Sequence, residues 1–274
     1  MSNAPVSRAP FTVVATASRE GTGGPIADAV RHYTAADLTT AVAVVDGAGH
    51  SPTVVYMAPV LAEVAARTGA ANFAVRGVLS AAALLADRGP AGDGPRAVAA
   101  VVVCPPGDMT MAAWSGDCRV YGSDGHRLTL HSTDQTVAEQ MRQYLGLTDP
   151  LPPAASDHLR GDLTNATLET VPGVRIAADE TIIVTSDGVH DQVPAEKIQE
   201  LVQRHATDPQ QLATELVAAA RSTASGYRDD ATAAVIVRPE ARQDWQTSPR
   251  REPPLPREAS GRERLSARRR TKEQ

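Results

Sequence analysis

Four short acidic stretches are attached to apolar, strand-like runs. They are VVDGAG with Asp46, WSGDCRVY with Asp117, TIIVTSDGVHD with Asp187 and Asp191, and YRDDATAAVIV with Asp229 and Asp230. An aspartate beside glycine at a strand end can bring its oxygens, and a neighbouring backbone carbonyl, to one point. Hard divalent cations such as Mg²⁺ and Mn²⁺ bind such oxygens and complete an octahedron with water. Without a cation, converging carboxylates repel and raise one another's pKa. A bound cation removes that cost and stabilises the fold. Taken singly, each Asp-Gly is an ordinary turn. Four in one chain, each joined to an apolar run, favour a common metal site over four unrelated turns.

The elements that would position these groups follow from the apolar pattern. Strands are expected over 11–17, 38–45, 97–104, 109–114, 119–122, 128–130, 181–185 and 232–237. The four from 97 to 130 are separated by the turn signals PPGD, SGD and SDG, which predict an antiparallel meander. Helical spacing covers 53–68, with Pro59 as a kink or an early-turn residue, then 71–87, 136–145, 195–205 and 210–224, the last started by Asp208-Pro209. The Pro-rich stretch 149–160 reads as a surface loop or flap. The first ten residues, and a polar, Pro- and Arg-rich tail from Glu240, read as disordered. The expected organisation is thus a disordered 1–10, a folded 11–238 and a disordered 239–274.

Of the 274 residues 42% are apolar, enough for a sizeable core, but only 3% are aromatic, so Ala, Val, Leu and Ile must build it. The net charge of −5 argues against a general nucleic-acid binder. Because the tail is basic, the folded body is more acidic than the whole. Cys104 and Cys118 form no zinc or disulfide pattern and read as free thiols in a reducing cytoplasm. No N-terminal signal segment and no membrane-length apolar run is visible.

The order DGxG, SGDxRxY, TSDGxxD, DDxT resembles the metal-dependent protein phosphatase family, of the protein phosphatase 2C type. Ser132-Thr133-Asp134-Gln135-Thr136 resembles that family's LTxDHS segment, and Asp162-Leu163-Thr164-Asn165-Ala166 its LTxAL segment. The resemblance implies an α+β fold: a four-layer α/β/β/α sandwich of two antiparallel sheets flanked by helices. It also implies two Mn²⁺ or Mg²⁺ ions in a cleft at the sandwich edge, with room for a third. Asp46 matches the aspartate that bridges both ions, and Gly47 the residue whose carbonyl joins one. Asp187 and Asp229 match further ligands of the core pair, and Asp117 and Asp191 the third site. Asp28 falls where the family's early acidic motif ends and is counted with these as an expected metal ligand. The implied reaction is hydrolysis of phosphoserine or phosphothreonine by a water held through Asp46, Asp187 and Asp229, opposing a Ser/Thr kinase. The expected protein is a cytoplasmic monomer that uses neither nucleic acid nor membrane.

The resemblance fails in one stretch. The early motif carries an arginine that grips substrate phosphate and a glutamate that holds the second ion; Gly23 and Ala27 stand in their places. Arg19 or Arg31 could replace the arginine. Ala48 stands where some members carry a histidine, and His50 nearby could serve as general acid. His190 stands where the family usually carries an apolar or aromatic residue and reads as structural; Asp230 replaces the usual Asn and keeps an oxygen, and Cys118 replaces Ser and is expected buried, not catalytic. The losses leave open a phosphatase-like domain that binds a phosphoprotein without turning it over.

Overall fold

A computed structural model describes residues 11–89, 92–147 and 151–239. The expectations for residues 1–10, for the loop tip around 149 and for the tail from Glu240 lie outside these. Ten strands form two five-stranded antiparallel sheets. The first has the order β1 (Val13–Arg19), β10 (Ala231–Val237), β9 (Thr181–Thr185), β6 (Arg119–Ser123), β7 (Leu128–Leu130). The second has the order β2 (Ala29–Thr34), β3 (Thr40–Gly47), β4 (Ala97–Cys104), β5 (Thr110–Ser115), β8 (Gly173–Ile176).

Side-chain alternation along β3 and β4 builds the layers. Ala41, Ala43, Val45, Ala99, Val101 and Val103 face α1 (Pro52–Asn72) and α2 (Ala74–Ala83), meeting Leu61, Ala65 and Val78. Val42, Val44, Val98, Ala100 and Val102 point the other way, into the space between the sheets, against Val120, Ile182, Val184, Ala234 and Ile236. The outer face of the first sheet, through Ile183, Val235 and Val237, packs on α6 (Ala195–Arg204) and α7 (Pro209–Ala219) through Ile198, Leu201, Leu212 and Leu216. Small residues on both sheet faces let three apolar layers close with few aromatics. This is the α/β/β/α sandwich that the resemblance implied.

The expected meander is not formed. β4 pairs with β5 and β6 with β7, but β5 and β6 lie in different sheets: β5 has β8 as its other neighbour, and β6 pairs with β9. The chain crosses between sheets at Gly116-Asp117. Gly116 has φ +102°, and a Cβ there would collide with Val98. The turn signals were genuine, but local sequence does not choose a strand's partner.

Two strands, β2 and β8, were not expected. Both are edges of the second sheet, and their exposed polar positions (Arg31 and His32, Arg175) leave little apolar alternation. The helix boundary also moves. α1 runs on through Asn72, and Phe73, at φ 77°, breaks the chain before α2. Pro59 lies inside α1. The stretch expected as a loop carries a short helix, α4 (Pro153–Asp157), after α3 (Val137–Leu145). Asp208 caps α7 as expected, accepting from Gln211 N at 2.9 Å.

Candidate active site

Asp46 ends β3 in register with Val98, and Gly47 lies opposite Ala97. Both ends are fixed by a strand whose neighbours are fully buried, so the carboxylate has little backbone freedom. Asp117 sits on the turn by which the chain changes sheets. That turn is held by Gln135, whose Oε1 accepts from Gly116 N at 2.8 Å and whose backbone N donates to Gly116 O at 3.0 Å. Arg119, two residues on, is clamped by Asp134, Nε to Oδ1 at 3.0 Å and Nη2 to Oδ2 at 2.6 Å. The STDQT segment thus positions Asp117 from behind.

Asp187 opens the one-turn helix α5 (Asp187–His190) directly after β9, and Asp191 follows it. Gly188 lets this turn lie against the carbonyl of Asp230, where a Cβ would collide. Asp229 precedes β10. One cleft of about 550 Å³ is lined by Asp46, Gly47, Asp117, Asp187, Asp191 and Asp229, together with His50, Arg96, Asp162, Gln192, Thr223 and Tyr227. Its carboxylates come from both sheets, so the site sits at the open edge of the seam between them.

Asp28 is buried and does not line the cleft. Its Oδ2 accepts from Ser186 Oγ at 2.7 Å, and Ser186 Oγ in turn accepts from Thr232 N at 2.9 Å. Asp28 lies behind the cleft wall, within the field of Asp46 and Asp187. The neighbouring aspartates 229 and 230 divide their roles. Asp229 faces the cleft. Asp230 is buried and accepts from Gly21 N and Ala27 N, both at 2.6 Å, pinning the loop between β1 and β2.

The electrostatics record the crowding. Burial, then the charges of Asp187, Asp28 and Asp117, push the Asp46 carboxyl well above the usual range. Burial raises Asp28 to about 7 against the Ser186 and Thr232 hydrogen bonds. Burial and the Asp187 charge raise Asp117 to about 7; burial and the Asp229 charge raise Asp187 to about 6. The Tyr227 phenol is pushed up to about 12, by partial burial and then by Asp229.

The donor chemistry fits hard divalent cations: carboxylate oxygens plus the Gly47 backbone, in a cleft with uncompensated negative charge. Among the described residues, no three His, Cys, Asp or Glu side chains are grouped so that they could hold an ion as they stand. The carboxylates share a cleft and a field without forming a closed ligand set.

His50 lines the cleft, with Nδ1 3.1 Å from Pro25 O and 3.8 Å from Asp230 Oδ2. Its ring fills the space that a side chain at Gly23 would enter. Neither proposed replacement arginine reaches the cleft. Arg19 Nη1 donates to the carbonyl of Ala220 at 3.1 Å, at the end of α7. Arg31 is exposed on β2 and bonds its neighbour's carbonyl. His190 is buried, with Nδ1 2.9 Å from Thr185 Oγ1, and burial holds its imidazole well below the usual range. Cys104 and Cys118 are buried free thiols. The sequence reading missed Arg96, Tyr227 and Gln135 as parts of the site; only Gln135 left a signal, inside the STDQT segment.

A family model for protein phosphatase 2C matches residues 174–228. No curated protein matches the sequence. Among solved structures, the serine/threonine phosphatase of S. agalactiae aligns with TM-score 0.68 at 13% identity, covering 83% of this chain and 100% of that one. Stp1 from Staphylococcus aureus aligns with TM-score 0.69 at 12% identity, covering 86% and 99%. The Mycobacterium tuberculosis phosphatase PstP/Ppp aligns with TM-score 0.64 at 20% identity, covering 83% and 98%. The chain therefore resembles the protein phosphatase 2C family and has the fold of these bacterial serine/threonine phosphatases.

Proposed function

We propose that this protein is a Mn²⁺- or Mg²⁺-dependent phosphatase of phosphoserine and phosphothreonine in proteins. The observation that carries the reading is the convergence of Asp46, Asp117, Asp187 and Asp229, from four separate chain segments, on one cleft. That much uncompensated carboxylate is costly in a folded protein, and a cation-dependent hydrolase is what gives it a use.

Asp46, Gly47, Asp187 and Asp229 would hold the core ions, with Asp117 and Asp191 available to a third and Asp28 supporting from behind. Bound there, the ions would supply a water of lowered pKa and neutralise charge on the phosphoryl oxygens. The chain's own contribution is placement. The end of β3 fixes Asp46, and the Gly188 turn brings Asp187 beside Asp229. His50 stands at the cleft wall with Nδ1 donating to the Pro25 carbonyl, so the neutral ring carries its lone pair at Nε2, beside Gly23, and only the doubly protonated ring would have an Nε2 proton to give to a leaving alkoxide. The substrate would be a phosphoprotein made by a Ser/Thr kinase, met by a monomer in the cytoplasm. No helix among the described residues is long and apolar enough to cross a membrane.

One observation favours a second reading, a domain that binds a phosphoprotein without turnover. Ala27 presents no carboxylate, and its backbone N is instead tied to Asp230. Hydrolysis of a phosphothreonine peptide in Mn²⁺, in EDTA and by Asp187→Asn separates the two. Turnover that needs both Mn²⁺ and Asp187 supports the phosphatase; a folded protein that binds the peptide but never turns it over supports the second.

A further inference from the structure

A guanidinium that pairs with the outer oxygens of a phosphomonoester adds affinity and orientation beyond what cations in a cleft of carboxylates would supply. In this chain the loop before β2 does not offer one. Position 23 is glycine, the volume in front of it holds the His50 ring, and Arg19 and Arg31 are engaged elsewhere. The cleft nevertheless contains a guanidinium. Arg96 directly precedes β4, and its carbonyl accepts from Ala48 N at 2.9 Å, so its backbone is tied two residues beyond Asp46. Its side chain lines the cleft and is 47% exposed.

The guanidinium is held from one side only. Nε and Nη2 both reach Asp162 Oδ2, at 2.7 and 2.5 Å. Asp162 is buried and rigid: Oδ1 accepts from Thr164 N at 2.8 Å and from Thr164 Oγ1 at 2.5 Å, and its own N donates to Asn165 Oδ1 at 3.0 Å. Burial alone would raise this carboxyl; the Thr164 and Arg96 contacts outweigh it and keep it below its usual range. The opposite edge, Nη1, has no hydrogen-bond partner among the described residues. A fork fixed by a buried carboxylate on one edge and free on the other is preorganised for an anion with paired oxygens.

We propose that Arg96, positioned by Asp162, grips the phosphate of the substrate, so that this role comes from the start of β4 and not from the loop before β2. The proposal rests on the phosphatase reading for its substrate class but makes its own demand on binding.

The test uses the full chain with Mn²⁺. Binding of inorganic phosphate and of a phosphothreonine peptide is measured by calorimetry, alongside kcat and KM. Because removing Arg96 alone would strand a buried carboxylate, the variant is Arg96→Gln with Asp162→Asn, beside Arg96→Lys. The expected result is a loss of phosphate and phosphopeptide affinity, and a rise in KM, of about 10- to 100-fold in the double variant, with Arg96→Lys intermediate. Mn²⁺ affinity should stay unchanged. Turnover by the parent protein with unchanged KM and phosphate affinity in the double variant overturns the Arg96 assignment and leaves the phosphatase reading standing. Arg96-dependent phosphopeptide binding without turnover supports the assignment and removes the phosphatase reading. A parent protein that neither binds nor hydrolyses the peptide overturns both.

Discussion

The imidazole of His50 occupies the space that a side chain on Gly23 would need, so that a Cβ at position 23 would collide with Nε2. The two positions are therefore one packing unit, and a change at either is felt at the other. Gly23→Ala should push the ring off the Pro25 carbonyl and cost about 1 kcal/mol, the worth of one ordinary hydrogen bond. In a His50→Ala background the same substitution should cost almost nothing. Urea unfolding of the four members of the cycle measures the coupling; equal costs in both backgrounds would show that the ring does not hold that space.

Asp46→Asn should separate activity from stability. Losing the carboxylate proposed to hold the core ions should lower Mn²⁺-dependent turnover by at least about a hundredfold. In EDTA the same variant should melt higher than the parent, because one of several mutually repelling buried carboxylates is gone. A relief of about 1 kcal/mol corresponds to about 2–4 °C in a domain of this size. Thermal melts in EDTA check it, and a lower melting temperature would show that the cluster is not under electrostatic strain.

Stabilisation by Mn²⁺ should grow with pH. Asp28, Asp117 and Asp187 have folded pKa values raised to about 7, 7 and 6. For a raised carboxyl, the contribution to stability is full below the unfolded value of 3.8 and is lost as pH rises through the folded one. Without metal, this cluster should weaken the fold between about pH 4 and 7. His190 acts in the opposite sense: its lowered pKa means that its contribution is lost as pH falls below 6.5. The difference between melts in Mn²⁺ and in EDTA cancels His190, so the Mn²⁺ increment should be small at pH 5 and larger at pH 7.5. A pH-independent increment would disconnect cation binding from these carboxylates.

Asp230→Ala should unpin the loop between β1 and β2. Both carboxylate oxygens accept backbone N–H groups, from Gly21 and Ala27, and the alanine would orphan both, at a cost of about 2–4 kcal/mol. Hydrogen exchange at Gly21 and Ala27 should accelerate in the variant while β4 stays protected.

The sequence made the strong buried strands legible. β4 and β9 match their expected spans because apolar runs bounded by turns have few alternative readings; β7, a part-exposed edge strand, matches through the SDG turn before it. That Asp46, Asp117, Asp187, Asp191 and Asp229 share one cleft was legible in the four acidic stretches joined to apolar runs; their role as ligands stays a proposal. The edge strands β2 and β8 were not, because half of their surface faces water. The split of the meander was hidden because the partner of β6 is β9, far along the chain. Arg96 reads in sequence as a loop residue beside Pro95. What fixes it is Asp162, 66 residues further on, and no local pattern announces a pair at that separation.

The last strand of the fold, β10, is an interior member of the first sheet, hydrogen-bonded to β1 on one side and β9 on the other. Asp229 stands two residues before it. During synthesis, β1 therefore emerges without a partner, and the cleft lacks one wall until nearly the whole folded region has left the ribosome. A nascent or clipped chain ending before Asp229 would have Asp46 and Asp187 but neither Asp229 nor β10 to close the sheet. The architecture makes competence all-or-none along the length of the polypeptide, with the final strand acting as the wedge that completes it.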